Sequence, residues 1–170
     1  MSPEQVVQVY FAGEKAEAFW ILLAGVVALV AAVLLWFWVR EPFARGLALA
    51  LVVVAALGIG VGATVHFRSD AQARQLVGLH AADPGRFAAE EGPRIARVIE
   101  SFGWYRYGYV AATLLALVLV FAFGRPAHHG LAVGLLLLAA LGFTIDFYAE
   151  RRAIDYQQAL VHHGWLELPG

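Results

Sequence analysis

Acidic and histidine side chains occur in pairs at the ends of long apolar segments. The pairs are Glu14 and Glu17, His66 and Asp70, and Asp146 and Glu150. Residues three or four positions apart share one face of a helix, so each pair could present two ligand atoms in one direction. Carboxylate oxygens and an imidazole nitrogen are ligands of Zn²⁺, Mg²⁺ and Mn²⁺. One hypothesis is therefore a divalent metal site formed by His66, Asp70, Asp146 and Glu150.

Basic and aromatic side chains occupy the same stretches, which opens two other interpretations. An arginine binds phosphate or carboxylate groups through its planar fork, and a neighbouring acid can orient it. A site for a small charged ligand or a lipid headgroup would then use Glu14, Glu17, Arg68, Tyr105, Arg106 and Arg152. Alternatively, the opposite charges form salt bridges that fix the helix ends and have no ligand.

Several functional classes lack support in this sequence. The chain has no cysteine, which excludes disulfides, thiolate metal sites and thiol catalysis. It contains no G-x-S-x-G, H-E-x-x-H or P-loop motif, so the sequence favours a protein that is not an enzyme. Haem is not expected, because His66 has no second histidine at matching depth in another apolar segment. A net charge of −1 gives no reason to expect nucleic acid as a partner.

Four apolar segments must position these side chains. Hydrophobic residues make up 61% of the chain and charged residues 15%, against about 45–50% and about 25% in soluble domains. Segments 18–39, 46–65, 107–124 and 127–145 contain no charge, and about 20 apolar residues cross the hydrocarbon core. We predict an all-α integral membrane protein, a four-helix antiparallel bundle with transmembrane helices at about 16–39, 45–66, 104–124 and 128–148. The first is expected to be a retained span and not a signal peptide, because acids precede it.

The helices are expected to extend beyond the bilayer on the side of both termini. Only four of the 25 charged residues lie in the two short connections, at 40–45 and 125. Apolar residues at helical spacing predict amphipathic extensions at about 4–15, 67–82, 94–103 and 149–162. The motifs at 83–85 and 92–93 contain proline and glycine and are expected to interrupt the helical structure. Residues 1–170 would thus form one domain, with the paired charges in a layer at one membrane boundary.

The distribution of basic residues predicts the orientation. Nine lysines and arginines lie on the side of the termini and three on the other side. The positive-inside rule then places both termini in the cytoplasm. Arginine outnumbers lysine 11 to 1, and alanine, glycine, leucine and valine are abundant. This composition is typical of a GC-rich bacterial genome and suggests the inner membrane.

An internal repeat of two hairpins is suggested by residues 46–58 and 130–142, which match at eight of thirteen positions. Beyond them, 66–70 lies over 146–150 only if four residues are gapped. The G-x-x-x-G motifs at 58–62 and 130–134 predict close helix packing, within the bundle or in a homo-oligomer.

Three functional hypotheses remain open. The leading one is a multi-pass bacterial inner-membrane protein that binds or transports a small charged or lipid-headgroup ligand through the charged layer. The second is a non-catalytic accessory subunit with a structural charged layer, whose extended helices contact a protein partner. The third is a metal-assisted membrane enzyme.

Overall fold

The computed structural model describes residues 2–166, which form four long helices. These are α1 (Pro3–Leu34), which continues as a π-helical turn at Leu35–Val39, α2 (Pro42–Ala82), α3 (Pro84–Ala122) and α4 (Pro126–His162). Each helix begins with a proline, a residue whose missing N–H would have no helical partner at that position. Each is long and apolar enough to cross a membrane. The prediction of an all-helical chain with four apolar helices of spanning length is confirmed.

The break predicted at Gly92-Pro93 is wrong, because α3 runs through it and starts ten residues earlier than the expected residue 94. Only Asp83 separates α2 from α3, and its carboxylate accepts a hydrogen bond from the backbone N–H of Arg86 at 2.9 Å. Pro93 removes one donor from the helix. Phe87 and Ile95, fully buried on either side of it, hold both parts of α3 against the same core.

Helices α2 and α4 lie side by side in the middle of the molecule, with α1 along α2 and α3 along α4. Small residues make the central contact. A Cβ atom on Gly46 would collide with the carbonyl oxygen of Ala127, and one on Gly130 would collide with that of Phe43. The two backbones therefore touch, as is typical of helices that associate in lipid, where small residues permit close approach.

The central contact is reciprocal. Gly46 and Gly130 are 84 residues apart, and so are their contact partners Phe43 and Ala127. The same spacing relates further buried positions along both helices: Ala48 and Ala132, Ala50 and Gly134, Ala55 and Ala139, Ser69 and Ala153, and Leu76 and Leu160. The four-residue gap expected in the repeat is therefore wrong, because the register continues without interruption. His66 corresponds to Glu150 and not to Asp146.

The large buried side chains lie in the extensions and not in the apolar segments. Val7, Phe87, Ile95 and Leu160 are almost completely buried, and the ring of Tyr10 stacks on Tyr156 with centroids 4.2 Å apart. The outer faces of the apolar segments instead expose valine, leucine and phenylalanine. Burial of apolar surface drives association in water but not between helices in lipid. The structure thus has the core of a soluble bundle at one end and a lipid-compatible surface along the rest.

Candidate functional site: the charged layer

The paired charges of the sequence lie together where the apolar segments meet the extensions. We call this set the charged layer. Its members are Glu14, Lys15, Glu17, His66, Arg68, Asp70, Arg106, Asp146, Glu150 and Arg152. All four helices contribute to it, because each continues straight through the end of its apolar segment without a turn.

Helices α1 and α2 are linked by three contacts between polar side chains. Lys15 Nζ lies 2.5 Å from Asp70 Oδ2, and the hydroxyl of Ser69 donates to Glu14 Oε2 at 3.2 Å. Arg68 Nη2 lies 3.5 Å from the other oxygen of Glu14. The hydrogen bond from Lys15 lowers the pKa of Asp70 below its ordinary value. Both acids are thereby committed to partners within the protein.

Helix α4 is connected to α1 and α3 in the same way. Arg152 forms a salt bridge with Glu17 of α1, and both side chains are largely buried. Arg106 of α3 donates from Nη2 to Glu150 Oε1 at 2.5 Å, and about half of its side chain is exposed. Each of the two arginines therefore joins a different outer helix to the central helix α4.

His66 is held by structural contacts. Its Nδ1 lies 3.3 Å from the carbonyl oxygen of Lys15, and its ring packs against Phe19 and Phe67. The four residues of the metal hypothesis are divided between α2 and α4, and two of their carboxylates are in salt bridges. Within residues 2–166 no group of three or more histidine and acidic side chains could hold a metal ion. The described part of the chain therefore gives the metal hypothesis no support.

Asp146 has a different environment from the other acids. Its Oδ2 accepts a hydrogen bond from the hydroxyl of Tyr109 at 2.6 Å, and it forms no salt bridge within residues 2–166. Tyr105, the tyrosine expected at the ligand site, is half exposed and packs edge to face on Phe102. The tyrosine that contacts the layer is thus Tyr109, one helical turn deeper.

A second buried polar cluster lies in the extensions and was missed at the sequence level. Glu91 is completely buried, and Arg94 donates two hydrogen bonds of 2.6 Å to its carboxylate. The hydroxyl of Tyr156 donates to the same carboxylate at 2.8 Å. The four-residue spacing of Phe87, Glu91 and Ile95 places the acid on an apolar helix face, and this spacing could have indicated from the sequence that Glu91 is buried. The predicted break at 92–93 concealed it.

Burial and charge shift the pKa values of this second cluster. Burial raises the pKa of the Tyr156 hydroxyl, and the charge of Glu91 and its hydrogen bond raise it further. Burial alone would lower the pKa of Arg94, but its hydrogen bonds to Glu91 and the attraction of that carboxylate raise it above the ordinary value. Arg94 thus stays charged and Tyr156 stays neutral at any physiological pH.

Comparisons with known proteins give no relative from which a role could be transferred. No protein-family model, no curated protein and no solved structure matches the chain. Its function therefore has to be inferred from the geometry of its own side chains.

Proposed function

We propose that this chain is a non-catalytic membrane subunit that spans the bacterial inner membrane four times and whose charged layer is structural. One observation carries the proposal: every acid of the layer except Asp146 meets a cation from another helix. The pairs are Glu14 with Arg68, Glu17 with Arg152, Asp70 with Lys15, and Glu150 with Arg106. An ionised group near hydrocarbon is unfavourable unless it is paired. Pairs between helices therefore fix the height of each helix relative to its neighbour.

The alternative, binding or transport of a charged ligand through this layer, has weaker support. An anionic ligand would have to compete with carboxylates that already occupy Arg106 and Arg152. The central helices α2 and α4 are in backbone contact at Gly46 and Gly130, which leaves no room for a polar path between them there. The salt bridges of the charged layer support a structural role better than a path for solute transport.

Packing within the chain also reduces the surfaces that are available to a protein partner. Ile95, whose exposure would have indicated a protein partner on the extension, is completely buried, and Val98 packs against the same core. Both G-x-x-x-G motifs are used inside the chain, since Gly62 lies against α1 and Gly130 against α2. A partner protein or a second copy would therefore have to use other surfaces. A groove of about 830 Å³ between the start of α3 and the end of α4 is one such surface.

The orientation with both termini in the cytoplasm stays a proposal. Six of the nine basic residues on that side are in salt bridges, namely Lys15, Arg68, Arg86, Arg94, Arg106 and Arg152. The three on the other side have none within residues 2–166. Paired arginines contribute less net positive charge, so the support from the positive-inside rule is smaller than the count of nine against three suggests. We also propose that duplication of one hairpin produced the reciprocal contacts of α2 and α4.

A double-mutant cycle on Glu17 and Arg152 tests the structural role. The variants are Glu17→Gln, Arg152→Gln and the double substitution, compared by unfolding of the full-length protein in detergent micelles. We expect a coupling free energy of about 0.5–3 kcal/mol, as found for residues in one salt-bridge network. The exposed pair Arg86 and Glu90 provides the matched control, with a coupling expected at about 0–1 kcal/mol. A coupling for Glu17 and Arg152 no larger than the control would contradict the proposal.

A further inference from the structure

Asp146 stands apart from the salt bridges that surround it. The nearby charges on α1, α3 and α4 are Glu17, Arg106 and Glu150, and each is already in a salt bridge, Glu17 with Arg152 and Glu150 with Arg106. The two pairs balance, so the negative charge of Asp146 is left over. Its other near neighbour, Tyr109, contributes a neutral hydroxyl. A phenol donates a hydrogen bond to a carboxylate but does not neutralise it.

The corresponding position in the first hairpin shows that the fold does not need a polar pair here. The register of 84 residues makes Gly62 the equivalent of Asp146. A Cβ atom on Gly62 would lie 2.6 Å from the backbone nitrogen of Leu22 and 2.8 Å from the carbonyl oxygen of Ala18, so α1 and α2 are in backbone contact. The same architecture is thus built in one hairpin without any side chain at this point.

In the second hairpin, Tyr109 and Asp146 take the equivalent place between α3 and α4. Gly142 lies one helical turn before Asp146, and a Cβ atom there would lie 2.8 Å from Cζ of Tyr109. The equivalent residue of the first hairpin, Gly58, is also a glycine and lies against Gly25 of α1, whereas in the second hairpin the ring of Tyr109 takes the space beside Gly142. Three residues on two helices, Tyr109, Gly142 and Asp146, fit together to place one carboxylate at this depth.

The depth of Asp146 makes its unpaired charge unfavourable. It lies one turn closer to the centre of its apolar segment than Glu150, and its side chain is only half buried. Its neighbours Phe143 and Phe147 are exposed, as expected for a surface in contact with lipid. An ionised carboxylate in such a place requires a counter-charge. The nearby cation, Arg106, is in a salt bridge with Glu150, and no described residue forms a salt bridge with Asp146, so a counter-charge for Asp146 would come from outside the chain.

We propose that Asp146, held by Tyr109, is an exchangeable binding site for a single positive charge, either a proton or an alkali cation. Oδ2 accepts the tyrosine hydroxyl, and Oδ1 is left to hold the proton or to ligate the ion. This inference is independent of the structural role proposed for the other acids, because their salt bridges neither require nor supply the charge on Asp146.

Dicyclohexylcarbodiimide is a suitable probe because it is apolar and reacts with protonated carboxyl groups in apolar surroundings. The carboxyl proton moves to a carbodiimide nitrogen, the carboxylate oxygen adds to the central carbon, and an oxygen-to-nitrogen acyl shift leaves a stable N-acylurea without a leaving group. The full-length protein in liposomes would be labelled from mildly acidic to mildly alkaline pH, and the adduct located by mass spectrometry. We expect one adduct, on Asp146, which decreases as pH rises.

The controls separate the two sources of charge. Asp146→Asn keeps an acceptor for Tyr109 and should lose the adduct. Labelling that is the same in lithium, sodium, potassium and choline chloride indicates a proton site, whereas protection by one alkali ion indicates a cation site. No adduct on Asp146 at any pH, or an adduct of equal yield on Glu14 or Glu17, would overturn the proposal. Failure here leaves the coupling between Glu17 and Arg152 unaffected, so the two proposals fail separately.

Discussion

Replacement of Glu91 by glutamine should destabilise the protein far more than the same change at the preceding residue. Glu91 is completely buried and accepts two hydrogen bonds from Arg94 and one from Tyr156. Glutamine has nearly the same volume, so the packing is preserved and the charge is lost. Its NH₂ group would also face the guanidinium of Arg94, donor against donor. Arg94, with only 20% of its side chain exposed, is left without a counter-charge.

The expected size follows from the burial of the pair. Removal of one partner of a buried salt bridge costs about 3–5 kcal/mol, because the other charge stays buried and uncompensated. The partial exposure of Arg94 favours the lower end, about 3 kcal/mol. In the control Glu90→Gln, the salt bridge with Arg86 has side chains 48% and 67% exposed, and such pairs contribute about 0–1 kcal/mol. At about 2–4 °C per kcal/mol, the melting temperature should fall by roughly 6–12 °C for Glu91→Gln.

The assay is thermal unfolding of the full-length protein in detergent micelles, followed by circular dichroism and tryptophan fluorescence. A third variant, Glu91→Leu with Arg94→Leu, removes both charges and should recover most of the stability, since buried ion pairs are often replaced by apolar residues without loss. If Glu91→Gln is as mild as Glu90→Gln, the described burial of the pair is wrong. If the double variant is as unstable as the single one, packing and not charge explains the loss.

Two further outcomes are expected. Gly130→Ala places a methyl group against the carbonyl oxygen of Phe43 and should cost about 1–3 kcal/mol. Gly60→Ala, which meets no neighbour, should change little, and equal losses in SDS-induced unfolding would contradict the close contact. The pKa of Tyr156 is raised in the folded protein, so its contribution is complete below the unfolded value of about 10 and is lost as pH rises. Stability should fall above about pH 10 by up to ~1.4 kcal/mol per pH unit for this tyrosine, and an unchanged slope in Tyr156→Phe would refute the assignment.

The four long apolar helices could be predicted because each uncharged segment has the length and composition of a candidate membrane span. A span needs about 20 apolar residues, and the four uncharged segments satisfy this without reference to any contact. Because the rise per residue is constant, counting residues along each helix then predicted that the charges lie at one level. The salt-bridge partner of each charged residue could not be predicted from distance along the helix. Glu17 meets Arg152, 135 residues away, because of the rotation of α1 and α4 about their axes, which only tertiary packing sets.

Local signals failed where burial overrides them. Gly92-Pro93 is a strong interruption by its own preferences, yet the helix passes through it because Phe87 and Ile95 bury apolar surface on both sides. Glu91 was missed for the same reason, as its position on the apolar face is evident only if the helix is continuous. In the repeat, the gapped alignment of His66 with Asp146 followed residue type. The contacts between helices follow the register of 84 residues, in which His66 is equivalent to Glu150.

The register also separates the residues that the fold requires from those that chemistry requires. Where both hairpins carry small or apolar residues at equivalent positions, as at Gly46 and Gly130 or Leu76 and Leu160, packing alone accounts for them. Where the hairpins carry different residues at equivalent positions, both residues allow the helices to pack. The residue that is energetically less favourable there then needs an explanation other than packing. A carboxylate at the end of a candidate membrane span is the costlier solution when a glycine serves in the other hairpin. The difference between Gly62 and Asp146 therefore supports the proposal that Asp146 exchanges a positive charge with its surroundings.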